Sequence, residues 1–517
     1  MRTKNSMFNM AASFGSQIIT VLLGFISRTV FITALGAEYL GVNGLFTNIL
    51  SIISLAESGI GSSIVYSLYK PVAENDEEKI LILMNVYRKA FKVIGLIVFT
   101  IGIMIMPFLK YFINGETGIS NLYLIYFIFV FNSAITYLFS YKISFLNVCQ
   151  KNYVVTSITT GFSVAATIMK ILILYFTQNY ILFLVVDSII TIVTQVMVSR
   201  KADKLYPYLK KKTDKKLDNE TKGSIIKNMK ALVVHNIGGR AVFGTDNLLI
   251  SSFVSVASVG LYNNYLMFIN LFRNLINTVF NAVEDAFGDL IAQEDNNKTY
   301  GVYKAANLCV FWLNSFFAIG MYICLEPAME IWLGKNYLMG QTVVAVLMVS
   351  FYVSGMRRAI NIVKSKAGIF HEDRFAPLFE AAVNLISSII LVKFFGISGV
   401  FLGTIISTLA VPFWIAPYLV YKKVFKKSPW LYFLEYIRYT IIGLVTCIVT
   451  VLVCNLIPDG GMLAFLGKAI IAGIIPNIIY ILAFHRTKEF KYLWGVADTM
   501  VFSKFKTSTN SKNELVA

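Results

Sequence analysis

The sequence predicts an all-α polytopic membrane protein of about 14 transmembrane helices, built as two pseudo-symmetric six-helix lobes plus a C-terminal helix pair. Three observations predict it. Of 517 residues, 57% are hydrophobic and only 14% charged, with a mean hydropathy of +0.68; an ordinary soluble chain is roughly 45–50% apolar and about 25% charged. The apolar residues gather in runs of about 20, the length a helix rising ~1.5 Å per residue needs to cross a hydrocarbon core of ~30 Å. Lysine and arginine concentrate in every second loop, as expected where short positive segments resist translocation.

The longest polar interruption, 200–230, divides the chain. It reads RKADKLYPYLKKKTDKKLDNETKGSIIKNMK, and its lysines and arginines outnumber Asp203, Asp214, Asp218 and Glu220. Flanked by long apolar runs, it reads as a basic cytoplasmic connector rather than a nucleic-acid arm. The N-terminal lobe, 1–199, holds runs at 11–35, 43–68, 91–112, 121–146, 154–176 and 180–199. The C-terminal lobe, 231–421, holds runs at 231–255, 260–286, 305–325, 341–362, 375–395 and 398–421. An extra helix pair within 422–484, at 436–457 and 463–484, precedes a polar tail, 485–517, expected to be disordered and cytoplasmic. The first run is too long for a signal-peptide core and is expected to remain as a span. Loops with Arg88, Lys89, Lys142, Lys151, Lys422 and Lys423 fall on one side; only Lys110, Lys335, Lys393 and Lys468 fall on the other. Both termini are therefore expected on the cytoplasmic side of the membrane.

Several function classes drop out. The five cysteines lack CxxC or metal-ligand spacing, and His235, His371 and His485 are far apart. No metal or cofactor is expected. No Walker-type loop is present, which argues against an ATP-driven pump. An embedded transferase would need paired acids near a loop, and Glu284-Asp285 or Glu372-Asp373 are the candidates, each more simply a helix-end feature. The net charge of +18 suits loops beside anionic headgroups and implies no nucleic acid.

The halves read as a duplication. Placing Asn9-Met10 over Asn228-Met229 also places Gln17 over Asn236, Ser27-Arg28 over Asp246-Asn247 and Gly41 over Gly260. Both segments would start on the cytoplasmic side, giving a parallel repeat about an axis along the membrane normal.

Polar residues at helical spacing inside spans identify faces turned away from lipid. In the first span Ser13, Gln17, Thr20, Gly24, Ser27 and Arg28 follow such a face; Glu57 lies beside the equivalent stripe of the second. The seventh carries Asn236, Arg240, Asp246 and Asn247. In the eighth, Asn270, Asn274, Asn277 and Asn281 form a ladder ending at Glu284 and Asp285, with Arg273 within a turn. An arginine at mid-span costs about 2.5–3.5 kcal/mol on insertion scales and demands a partner or a wet cavity. Arg28, Arg240 and Arg273 therefore either pair structurally with Glu57, Asp246 and Glu284 or line a shared cationic cavity. Lys170 and Asp187 admit a structural pair or a coupling path. Arg357, Arg358 and Glu380 read as interfacial anchors near cytoplasmic helix ends.

The opening NMAASFGSQIITVLLGFISRTVFITALGAEYLGVNGLF, the run LAESGIGSSI, the phrase ADKLYPYL and the pattern FGISGVFLGTIIS resemble bacterial polysaccharide repeat-unit flippases of the Wzx type, over most of the chain. That family shares a superfamily with multidrug and toxin extrusion transporters and lipid II flippases. The resemblance implies two six-helix lobes around a central cavity that opens alternately to each side. It implies as substrate an undecaprenyl-pyrophosphate-linked oligosaccharide for capsule, O-antigen or a related polymer. A polysaccharide polymerase and other assembly proteins are its implied partners, besides membrane lipids. On this reading the arginines take the pyrophosphate and the asparagines the sugar hydroxyls. Two alternatives stand beside it. An ion-coupled multidrug exporter would carry an acid in its first helix, where this chain carries Arg28. A non-transporting scaffold of a polysaccharide assembly complex would need no polar ladders.

Overall fold

The computed structural model describes residues 2–114, 118–211, 213, 215, 217, 218, 221–223, 225, 226, 229, 245–293, 296–369, 372–458, 460–495 and 498. Among these the secondary structure is helical throughout, and eleven helices are long and apolar enough to cross a membrane. The chain forms two compact units, Met1–Asn263 and Asn264–Ala517.

In the first unit, α1 (Arg2–Ile53) takes in the first expected run and the start of the second, with a break at Gly36, whose φ of 84° glycine adopts without steric cost. A short 3-10 turn then leads to α2 (Ser58–Glu74). Next comes α3 (Glu77–Ile105), started by Asp76, whose carboxylate accepts the Lys79 N–H at 2.9 Å, a side-chain cap for an otherwise orphaned donor. Then follow α4 (Leu122–Val148), α5 (Asn152–Thr177) and α6 (Tyr180–Leu205), the last capped by Asn179. Leu83, Tyr87, Phe91 and Phe145 anchor a core between them, with the Tyr87 and Phe91 rings 4.6 Å apart edge to face.

The basic connector is not a bare loop. Tyr206, Tyr208, Leu209 and Leu217 pack on the same core, and Ile225 is buried in it. These apolar residues are interspersed among lysines, so composition alone reads the segment as solvated.

Of the expected run 231–255, residues 231–244 lie outside the described ones; its end is the short α7 (Asp246–Phe253). The main-chain N–H of Asn114 donates to the Ser251 carbonyl at 3.0 Å, and the Asn114 side-chain amide donates to the Val254 carbonyl at 3.2 Å. The next helix, α8 (Val256–Gln293), starts by crossing α1 at glycine. A Cβ on Gly41 would lie 1.9 Å from the Val256 carbonyl oxygen, and one on Gly260 would lie 2.1 Å from that of Ala37. Each glycine thus touches the residue four positions before the one that the alignment of the halves sets against it. These contacts group residues up to 263 with the first unit, so the division by contacts falls inside α8 and not at 200–230. The asparagines and Arg273 that interrupt α8 keep it out of the eleven apolar helices.

In the second unit α9 (Asn296–Leu333) is the pillar. It packs against α10 (Gln341–Met356), α11 (Arg358–Lys366), α15 (Trp430–Cys454) and α16 (Gly461–Phe484). Phe311 of α9 stacks on Tyr439 at 4.7 Å, and the Trp312 indole donates to the Asn477 side-chain oxygen at 2.7 Å. The expected run 341–362 is divided between α10 and α11 at Arg357. The run 398–421 breaks into α13 (Ile397–Ala410) and α14 (Pro412–Val420), because Pro412 cannot donate to the preceding turn. The pattern FGISGVFLG closes α12 (Ala376–Phe395) tightly onto α13: Ser388 donates to the Val400 carbonyl at 3.0 Å, and Asn384 to Thr404 at 3.0 Å. Small residues permit that approach, which makes the motif an architectural one.

Candidate functional site

Each unit carries a polar constellation inside its helices. In the first, Arg28 projects from α1 and donates through one terminal nitrogen to the Asn263 carbonyl at 2.9 Å. Among the described residues no carboxylate pairs with it, and the anticipated Arg28–Glu57 pair is not formed. A main-chain carbonyl offers dipole but no counter-charge, so among the described residues the guanidinium has no acid to balance it within an apolar helix. Asn263 also flanks Gly44, where a Cβ would stand 2.0 Å from the asparagine side-chain nitrogen. The glycines at 41, 44 and 260 thereby bring α1 and the start of α8 close enough for Arg28 to reach.

Nearby in sequence register, Asp246 and Asn247 are 7% and 4% exposed at the first turn of α7. An acid there complements the helix dipole. Asn236 and Arg240 lie outside the described residues. Gln17 is exposed and Glu57 half-buried. Lys170 and Asp187 form an ion pair at 2.7 Å between α5 and α6, and the ammonium lies 5.1 Å from the Phe183 ring centre.

In the second unit, α8 presents Asn270 and Asn274 exposed, with Arg273 and Asn277 half-buried beside them. Spacings of three and four place all four on one arc, flanked by the buried Ile276 and Phe280. The backbone of Asn281, Glu284 and Asp285 continues this helix, while their side chains lie outside the described residues. Arg358, which the sequence places at an interface, instead donates to the Asn277 side-chain oxygen and lies 5.9 Å from the Phe280 ring centre.

The anchor reading of Arg357, Arg358 and Glu380 is corrected by this geometry. Interfacial anchors extend toward water, but Arg357 turns onto Glu380 at 2.9 Å and Glu380 is only 7% exposed. Thr408 adds a bond to the same carboxylate oxygen at 3.4 Å. The signal available in the sequence was an acid at 380 within an apolar run. Glu380→Gln would leave Arg357 facing a neutral amide, with an expected loss of about 2–3 kcal/mol, somewhat below the range for a fully buried pair. Thermal unfolding of the solubilised variant should fall by several degrees; an unchanged midpoint would reduce the pair to decoration. The acids at 372 and 373 are each occupied by lysine, Glu372 with Lys423 and Asp373 with Lys364.

Before any comparison, the described residues define a class: a helical, polytopic membrane protein with arginines and asparagines inside its helices. The sequence itself matches no family model and no curated protein. Among solved structures it is similar to a lipid II flippase, MurJ, in an inward closed conformation, with TM-score 0.65 and 14% identity, covering 93% of this chain and 99% of that one. It is also similar to a multidrug resistance MATE family transporter of the MOP superfamily in an inward-facing conformation, with TM-score 0.60 and 15% identity over 76% of this chain and 91% of that one. An outward-facing MATE family transporter gives TM-score 0.52 and 14% identity over 79% and 93%. The chain shares the overall fold of these structures.

Proposed function

We propose that this protein is a flippase that carries an oligosaccharide linked to undecaprenyl pyrophosphate across the bacterial cytoplasmic membrane by alternating access. The observation that carries the reading is Arg28, a guanidinium within an apolar helix whose hydrogen-bond partner among the described residues is a carbonyl and not an acid. A pyrophosphate entering such a place supplies the missing counter-charge and matches the planar fork of donors. The arc of Asn270, Asn274 and Asn277 with Arg273 offers amide donors and acceptors suited to sugar hydroxyls. Support also comes from the full-length likeness to a protein named a lipid II flippase. A multidrug exporter, which the MATE likeness would equally support, fits Arg28 less well, since a cationic drug would meet a like charge.

Deleting the gene in its source cell is the test. Lipid-linked repeat units should accumulate on the inner leaflet while surface polymer is lost. Unchanged polymer together with new sensitivity to cationic dyes would favour the exporter. The proposal also keeps the connector inside: Lys210→Cys should resist an impermeant thiol reagent added to intact cells and react after lysis. Labelling from outside would invert the topology.

A further inference from the structure

The connector forms one wall of a cavity of about 910 Å³ in the first unit, near the top of the ~300–1,000 Å³ range of small-ligand sites. Asn85, Arg88 and Lys89 line it from α3, and Lys210, Lys211 and Lys222 from the connector. Two further lysines on its wall are matched: Lys142 bonds Asp203 at 2.7 Å, and Lys215 bonds Glu78. Among the described residues Arg88, Lys89, Lys210, Lys211 and Lys222 have no carboxylate partner.

Like charges on a free loop spread apart, and the cost of gathering them is relieved by water and salt. Here the loop cannot spread. Tyr206, Tyr208, Leu209, Leu217 and Ile225 pin it to the core around Tyr87 and Phe145, and the Asn85 amide donates to the Thr213 carbonyl at 3.3 Å. Apolar burial thus holds several cations, without a carboxylate partner among the described residues, around one concave space. We propose that this cavity binds a phosphate-bearing anion, with Arg88 forking two of its oxygens and Lys89, Lys210, Lys211 and Lys222 neutralising the remainder. Its source is either the headgroup of an anionic lipid, to which basic segments beside a membrane are drawn, or a soluble phosphate compound. The site does not rest on the transport reading and includes none of its residues.

The test has two arms on the full-length purified protein. Inorganic pyrophosphate is titrated calorimetrically into the detergent-solubilised protein. Separately, protein released from nanodiscs of mixed phosphatidylglycerol and phosphatidylcholine is weighed intact for retained lipid. Arg88→Gln/Lys89→Gln/Lys211→Gln, all at exposed positions, should bind at least about tenfold more weakly, the loss of one charge-assisted bond or more. Lys422→Gln/Lys426→Gln at another basic segment should bind as wild type does. Lys211→Glu alone should weaken binding in the same direction, and matched unfolding midpoints show that the variants fold. Loss confined to the pyrophosphate arm assigns a soluble ligand; loss confined to phosphatidylglycerol retention assigns a headgroup. Wild-type protein that binds neither probe, a triple variant that binds both normally, or an equal loss in the Lys422→Gln/Lys426→Gln control would overturn the site.

Discussion

Arg28→Ala is expected to abolish polymer export in cells while the protein still inserts at normal levels. The guanidinium lies in a span, bonded to the Asn263 carbonyl, and on the proposed mechanism it meets pyrophosphate where water is scarce. Losing a bidentate charge-assisted contact there removes about 3 kcal/mol from the crossing state, roughly a hundredfold in rate. Arg28→Lys keeps a point charge but not the fork, and should retain a minor part of the activity. The structural alternative makes a different forecast. If Arg28 serves only to tie α1 to the start of α8, alanine should lower the unfolding midpoint and the amount of protein, while export per folded molecule stays normal. Surface polymer normalised to membrane-inserted protein separates the two.

Gly260→Ala is the second large effect, and it acts on the fold. The added Cβ would lie 2.1 Å from the Ala37 carbonyl oxygen and 3.1 Å from the Gly41 amide nitrogen. Both are backbone atoms of a packed helix, so relief requires α1 and α8 to separate and not a side chain to rotate. The cost should reach the top of the overpacking range, about 3 kcal/mol, or exceed it. The matched control is Gly473→Ala in α16, where no atom stands within 4 Å of a new Cβ; there the substitution should be neutral or stabilise by about 0.5–1 kcal/mol. Comparing the yields and unfolding midpoints of the two variants in one detergent measures the difference. Equal behaviour would mean the crossing is looser than its geometry.

The class of fold was legible because membrane spans obey a length and polarity rule that a single sequence displays, as the runs at 121–146 and 154–176 do. Gly41 and Gly260 were legible as equivalents through alignment of the halves, though that they meet face to face was not, since contact across distant helices leaves no periodic trace. Breaks inside spans were harder. Gly36 and Pro412 interrupt helices without interrupting hydropathy, and α10 parts from α11 at an arginine that looks like an interfacial anchor. For that reason Arg358 reads from sequence as an anchor, although it closes on Asn277 of the ladder. The connector misled in the opposite way: its lysines masked Tyr206, Leu217 and Ile225, whose burial converts a charge run into a wall. Arg28 stood out because a charge within an apolar run is expensive wherever it points, but only geometry reveals that a carbonyl, and not Glu57, receives it.

The central claim is that arginines inside the spans carry a pyrophosphate across. Its most direct measurement is the rate at which purified protein in sealed vesicles moves an undecaprenyl-pyrophosphate-linked oligosaccharide between leaflets, read by its accessibility to an impermeant glycosidase. Wild type should expose the oligosaccharide rapidly, and Arg28→Ala and Arg273→Ala should fall to the protein-free rate with unfolding midpoints close to wild type. Wild-type rates in both stable variants would contradict the claim and return these arginines to a purely structural role.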